Sequence, residues 1–268
     1  MTDTQHDSRG SDTVWQVVVG VSLVLAVVGG VIGSGAFGGT PISEVAGGAL
    51  SADATPIAPA GPAFSIWSVI YLGLALYTVW QFLASQRASG RQRSIGYLMA
   101  ASLILNAAWI LSVQAGLIWL SVVVIVALLV VLASAFARCL RSRPKSWVEA
   151  IVVDGVVGLY LGWVCVATAA NIAAALADSG FTGWGIDADV WGAVVVAVAG
   201  LVGIALAIGG RGRISPALSL SWGLSWVAVG RLAGEPNSVP TAIVAIVAVV
   251  AVLLVTVVAR LRAEKSAT

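Results

Sequence analysis

A chain of 268 residues, 59% of them apolar and only 10% charged, with a mean hydropathy of +1.01, lacks the charge to solvate a soluble surface; soluble domains carry about a quarter charged residues. The net charge of +2 gives no electrostatic footprint for nucleic acid, and His6, Cys139 and Cys165 provide neither a metal set nor a disulfide framework. The composition is that of an integral membrane protein, and the fold class it predicts is all-α, a polytopic transmembrane helical bundle.

Residues 1–13 read as a polar, disordered tail in which Asp3, Asp7 and Asp12 outweigh Arg9. A membrane span needs about 20 predominantly apolar residues. Eight candidates follow in order: Val14–Phe37, Ala63–Leu83, Ser94–Ala115, Leu117–Ala137, Val148–Leu176, Val190–Gly209, Pro216–Leu232 and Val239–Ala259. The first is too long, and its preceding tail too acidic, for a secretion signal. The seventh is the shortest. The connection Gly38–Pro62 is rich in Gly, Ala and Pro and far exceeds the usual connection of about 4–6 residues, so it reads equally as a lid or as a slack connector.

The connections alternate in charge. Arg87, Arg91 and Arg93 follow span two, Arg138, Arg141, Arg143 and Lys145 span four, Arg211 and Arg213 span six, and Arg260, Arg262 and Lys265 span eight. The intervening long connections hold Glu44 and Asp53, then Asp178, Asp187 and Asp189. Short cationic loops stay in the cytoplasm. An even number of spans with both termini cytoplasmic, in the cytoplasmic (inner) cell membrane, places every basic segment on one side.

Polar groups at bilayer depth face a neighbouring helix or a pocket. Trp67 and Tyr71 share a face of span two, as do Asn106 and Trp109 on span three. Tyr160, Trp163, Ala167 and Asn171 form one stripe on span five. The topology brings these groups to similar depth beneath the long outer loop, where aromatic walls and amides suit a planar, mostly apolar ligand. The plainer readings are interfacial aromatic belts and an Asn bonding across a helix pair.

Gly29 with Gly33, and Gly158 with Gly162, are small-xxx-small pairs suited to close helix contact, either inside the bundle or at a dimer seam. Asp154 is either a proton or cation site or a partner for Arg143 or Lys145. Arg231 reads as a residue that snorkels from span seven. Trp222 and Trp226 share a face without an evident counterpart. No phosphate-binding glycine loop with Lys, no HExxH and no nucleophile–His–acid set occurs, so the sequence carries no catalytic signature.

Three stretches resemble the translocator protein family, also called tryptophan-rich sensory or peripheral benzodiazepine receptor-like proteins. They are PAGPAFSIWSVIYLGL at 59–74, LNAAWILSVQAGL at 105–117 and YLGWVCVATAAN at 160–171. Over about residues 14–176 the resemblance implies a five-helix core, with residues 177–268 a three-helix extension and short basic tail, as in a longer bacterial branch. It further implies a homodimer that binds a porphyrin or other tetrapyrrole, with Trp67, Tyr71, Asn106, Trp109, Trp163, Ala167 and Asn171 lining or bordering the ligand cavity. The chain departs from the family pattern at Ile110 and Leu111, where a Pro is usual, and in IAAALADSG, which lacks the sterol-associated Tyr and Arg. These departures weigh against sterol binding. A sensor or receptor for a planar ligand is the leading expectation. The alternatives are a transporter of such a ligand, supported by Asp154 and the extension, and a porphyrin-degrading enzyme.

Overall fold

A computed structural model describes residues 3–35, 40–87 and 89–266. Among these residues the chain is helical, without strands, and contains eight long helices. We number them α1 (Asp3–Gly33), α2 (Ile66–Gln81), α3 (Gly90–Gln114), α4 (Ile118–Arg141), α5 (Trp147–Asp178), α6 (Ala188–Gly209), α7 (Ile214–Ala233) and α8 (Val239–Lys265). Each expected span corresponds to one of them. The end of the first expected span, Ala36–Phe37, and the start of the long loop, Gly38–Gly39, lie outside the described residues, as do Met1 and Thr2 of the tail. The backbone of residues 3–13 continues α1 instead of forming a disordered tail.

Seven of the helices are long and apolar enough to cross a membrane; α7 is the exception. Its polar residues have an internal cause. Pro216, Ser219, Ser221 and Arg231 are buried against other helices and the long loop, while Leu218, Val229 and Leu232 on the same helix stay exposed. It nevertheless runs the length of the bundle, because Arg213 at its start pairs with Asp154 of α5 and Arg231 at its end bonds the long loop.

Helices α1 to α5 form the first group. Helix α3 packs between α1 and α4, α4 against α5, and α2 against α5 and α1. Helix α7 lies along α5, and α6 and α8 pack on each other and on α7. Small residues set the close approaches. A Cβ on Gly162 would lie 2.1 Å from the Pro216 carbonyl oxygen, and one on Gly158 2.1 Å from Ser215 Oγ. The Gly158–Gly162 face therefore seats α7 and is not a dimer seam. Gly29 faces Ala107 and Ile110, and Gly33 faces Ile42 and Ile110, so this pair also serves internal packing. The outward faces of α1, α6 and α8 carry exposed Val, Leu and Ile, as lipid contact requires.

Gly116 ends α3 with φ of 70°, and Leu117 N–H donates back to the Ser112 carbonyl at 2.9 Å. This left-handed glycine cap reverses the chain into α4. Helix α5 starts with a capping-box relative. Ser146 Oγ accepts from Glu149 N–H, and the Glu149 carboxylate accepts from Lys145 N–H at 2.7 Å.

At the end opposite the long loop, Gln16 Nε2 donates to the Gln81 carbonyl at 2.6 Å and Gln81 Nε2 to the Gln16 carbonyl at 3.1 Å, locking α1 to α2. The same end carries Arg91, Arg138, Arg141, Arg143, Lys145, Arg211, Arg213 and Arg260. The basic segments of the sequence thus gather at one end of the bundle, together with Glu149 and Asp154, while Arg231 lies at the loop end.

Candidate functional site

Helices α2, α3 and α5 deliver the aromatic and amide groups to one place. Trp67 meets Trp163 edge-on with ring centroids 6.3 Å apart, Tyr160 at 5.7 Å and Tyr71 at 5.5 Å. Phe64, from the turn preceding α2, meets Trp163 edge-on at 5.7 Å. Three of these contacts set a ring edge against a ring face, the arrangement favoured by the aromatic quadrupole, and the Trp67–Tyr71 pair is tilted at 33°.

A largely enclosed cavity of about 50 Å³ lies here, its walls almost wholly apolar. Trp67, Asn106, Trp109, Trp163, Ala167 and Asn171 all line it, and Leu50, Thr55 and Pro59 of the long loop close it. Tyr71 does not reach this space. It borders a wider cavity of about 640 Å³ between α1, α2 and the loop. Phe64, Trp67 and Trp109, with Ile42 and Leu50, form walls common to both. The long loop is therefore a cover over the site, which resolves the choice between lid and slack connector.

The polar groups of the site divide into engaged and free. Tyr71 donates its single hydroxyl proton to the Ala26 carbonyl at 3.2 Å, so it must accept from Asn106 Nδ2, 2.6 Å away. That fixes the Asn106 amide and leaves Oδ1 buried without a partner. Trp163 Nε1 is likewise buried and unpartnered. Two of the residues that line the cavity thus each hold one buried polar atom without a partner, an acceptor and a donor. Asn171 differs: its Oδ1 accepts from Trp109 Nε1 at 2.6 Å and its Nδ2 donates to Ser121 Oγ at 2.9 Å. The Asn171 amide is occupied in orienting Trp109.

The loop is fixed from α7. Arg231, 0% exposed, donates from Nη1 to the carbonyls of Thr55 and Pro236, both at 3.0 Å, and from Nη2 to those of Ala52 at 2.7 Å and Glu235 at 3.2 Å. The expectation that this residue snorkels is wrong, because the loop folds over it and supplies carbonyl dipoles in place of water. Trp222 Nε1 donates to the Ala63 carbonyl at 2.9 Å, and Ala60 N–H donates to the Trp226 carbonyl at 3.1 Å. The Trp222–Trp226 pair is accordingly part of the same attachment. Within the loop, a hydrogen bond from Ser51 to the exposed Asp53 holds that carboxyl below its ordinary pKa.

At the opposite end, Asp154 sits in a wide π-helical turn, Ala150–Gly155. It bonds Arg91 of α3 and, at 2.5 Å, Arg213 at the start of α7. Arg91 also pairs with Glu149 at 2.8 Å. Arg143 and Lys145, the partners expected from proximity in sequence, are not the ones used. A carboxylate held between two guanidiniums is already neutralised by pairing, which removes the simplest motive for reading it as a cation site. Among the described residues no cluster of His, Cys, Asp and Glu could hold a metal ion.

A family model described as TSPO-like protein matches residues 16–259. The chain belongs to the TSPO-like family. The match extends beyond residue 176, the limit of the sequence resemblance, and takes in α6, α7 and nearly all of α8. Arg231, Trp222 and Trp226, which hold the loop from α7, lie within the matched region. No curated protein and no solved structure matches the chain.

Sequence reasoning missed Phe64 and Ser121, and the role of Arg231. Phe64 lies within the quoted PAGPAFSIW stretch and is visible as an aromatic three positions before Trp67. Ser121 and Arg231 act through partners 50 and 176 positions away, respectively, and nothing local announces them.

Proposed function

We propose that this multi-pass membrane protein is a small-molecule-binding sensor or receptor for a planar, largely apolar ligand such as a porphyrin. The observation that carries the proposal is the cavity bounded by Trp67, Trp109 and Trp163, with Asn106 Oδ1 and Trp163 Nε1 as its two unused hydrogen-bonding atoms. Indole faces would stack on a conjugated ring system, and the two polar atoms would address its rim.

The enclosed space alone is too small for a macrocycle, since ligand pockets span roughly 300–1,000 Å³. The adjoining space of about 640 Å³ is of the right order. A macrocycle would enter that wider space and displace the shared wall of Phe64 and Trp67 to reach Trp163. The loop end of the bundle faces outward in this reading, and the arginine-rich end and both termini face the cytoplasm, following the distribution of charge.

Purified protein in liposomes tests receptor against carrier. The proposal expects saturable porphyrin binding with no uptake driven by a gradient. Gradient-dependent uptake would make the protein a transporter, and turnover to an open-chain product would make it an enzyme.

A further inference from the structure

A third cavity lies on the other side of the loop from the tryptophan-lined one, here the first. It measures about 310 Å³, is partly open, and is bordered by loop residues Ala54–Ile57, the end of α5, the start of α6 and the connection between those helices. The segment of loop that separates it from the first cavity is one residue layer thick. Thr55 lines both spaces, Ala58 faces the first, and Pro56 and Ile57 face the second. Two features keep this layer in place. Arg231 holds the carbonyls of Ala52 and Thr55, and Gly192 on α6 lets Pro56 approach where a Cβ would stand 2.9 Å from it.

The walls resemble a binding site more than a packing defect. Phe181 and Trp191 are set edge-to-face with centroids 6.0 Å apart and both line the space. Trp191 is held by its own Nε1, which donates to the Gly183 carbonyl at 3.0 Å. Ala173 and Ala177 of α5 keep the opposite wall shallow. Thr55, 4% exposed, has a hydroxyl oxygen with no partner. A buried hydroxyl without a partner is costly, and because Thr55 belongs to the lining of this cavity, a ligand's polar group there would give it one.

We infer that this cavity is a second binding site, taking a one- or two-ring aromatic molecule that carries a single hydroxyl or amine. Its volume stands at the lower end of the range for ligand pockets, which admits such a molecule and excludes a macrocycle. The aromatic ring lies against Phe181 and Trp191, and the polar group bonds Thr55 Oγ1. Nothing in this site depends on whether the first cavity takes a porphyrin.

The probe is 4-bromophenol, whose bromine quenches an indole that it touches. Titrated against the full-length protein in detergent, it should produce a saturable quenching component. That component should be lost in Ala173→Phe and in Val195→Phe, each of which fills the cavity from a different helix, and should persist in Ala170→Phe, which fills the first cavity instead. Thr55→Val keeps the side-chain shape and should weaken the saturable component about fivefold through the lost hydrogen bond; because Thr55 lines both spaces, this variant made in the Ala170→Phe background decides the matter if both filling variants melt early. Quenching that rises linearly and equally in every variant, or that disappears only in Ala170→Phe, or that is unchanged in Thr55→Val, would overturn the assignment.

Discussion

The guanidinium of Arg231 donates to the carbonyl oxygen of Thr55 at 3.0 Å, joining positions 176 residues apart. One side chain near the end of α7 thereby fixes the loop that closes a cavity built by α2, α3 and α5. Removing it leaves the Thr55 carbonyl with the Ala58 N–H alone and takes away the side-chain donor of the Ala52, Glu235 and Pro236 carbonyls. Arg231→Met should cost about 3 kcal/mol of stability, the scale of hydrogen bonds to a charged group. Amide hydrogen exchange should accelerate selectively across residues 51–60. Uniform exchange, identical to that of the parent protein, would show that the loop is held by its own packing.

The contact of Asp154 with Arg91 and Arg213 ties α5 to α3 and to the start of α7. Breaking a buried ion pair from one side leaves an uncompensated charge, at about 3–5 kcal/mol. Asp154→Asn should lower the melting temperature in detergent strongly. Asp154→Asn combined with Arg213→Gln should recover part of the loss, because the added substitution removes the cation left without a carboxylate, whereas Arg91 keeps Glu149. No recovery would mean that the two residues act independently.

Glycines that look alike in sequence should respond with opposite signs. Gly162→Ala forces a methyl into the Pro216 backbone and should destabilise by at least the 1–3 kcal/mol typical of overpacking. Gly29→Ala meets its nearest neighbour, Ala107, at an ordinary 3.5 Å. It should be neutral or stabilise by up to about 1 kcal/mol through helix propensity. Thermal melts of the two variants in the same detergent check this, and a destabilised Gly29→Ala would refute the contrast.

The gathering of basic segments at one end makes a topological prediction. Reporter fusions after Lys145 and after Lys265 should read cytoplasmic, and one near Asp53 external. An external reading after Lys265 would mean that α7 does not cross, leaving an odd number of spans.

The eight helices were legible in sequence because lipid selects long apolar runs and the chain punctuates them with Gly, Pro and charge. The meeting of Trp67, Asn106, Trp163 and Asn171 was legible because helical periodicity and alternating topology together fix face and depth. Roles within that set were not. Tyr71 stands outside the enclosed cavity because its hydroxyl is drawn to α1, and Asn171 is engaged by Trp109; both outcomes depend on partners that spacing does not reveal. Arg231 and Asp154 were misread for a common reason. Each was assigned the nearest water or charge along the chain, whereas the fold supplied carbonyls from a distant loop to one and arginines from two other helices to the other. The family match likewise extends beyond the motifs, which end at Asn171; in that region the Arg231 and Trp222 side chains bond carbonyls of distant residues, which no local spacing reveals.

The central claim is that the tryptophan-lined cavity binds a planar apolar ligand, and titration of protoporphyrin IX against intrinsic tryptophan fluorescence tests it most directly. The account predicts saturable quenching in the parent protein. In Trp163→Leu the affinity should fall several-fold, since a lost aromatic contact costs about 0.5–1.5 kcal/mol beyond its buried area. In Trp119→Leu, at an exposed position on α4 away from the cavity, it should be unchanged. Absence of saturable quenching, or equal affinity in the parent protein and Trp163→Leu, would contradict it.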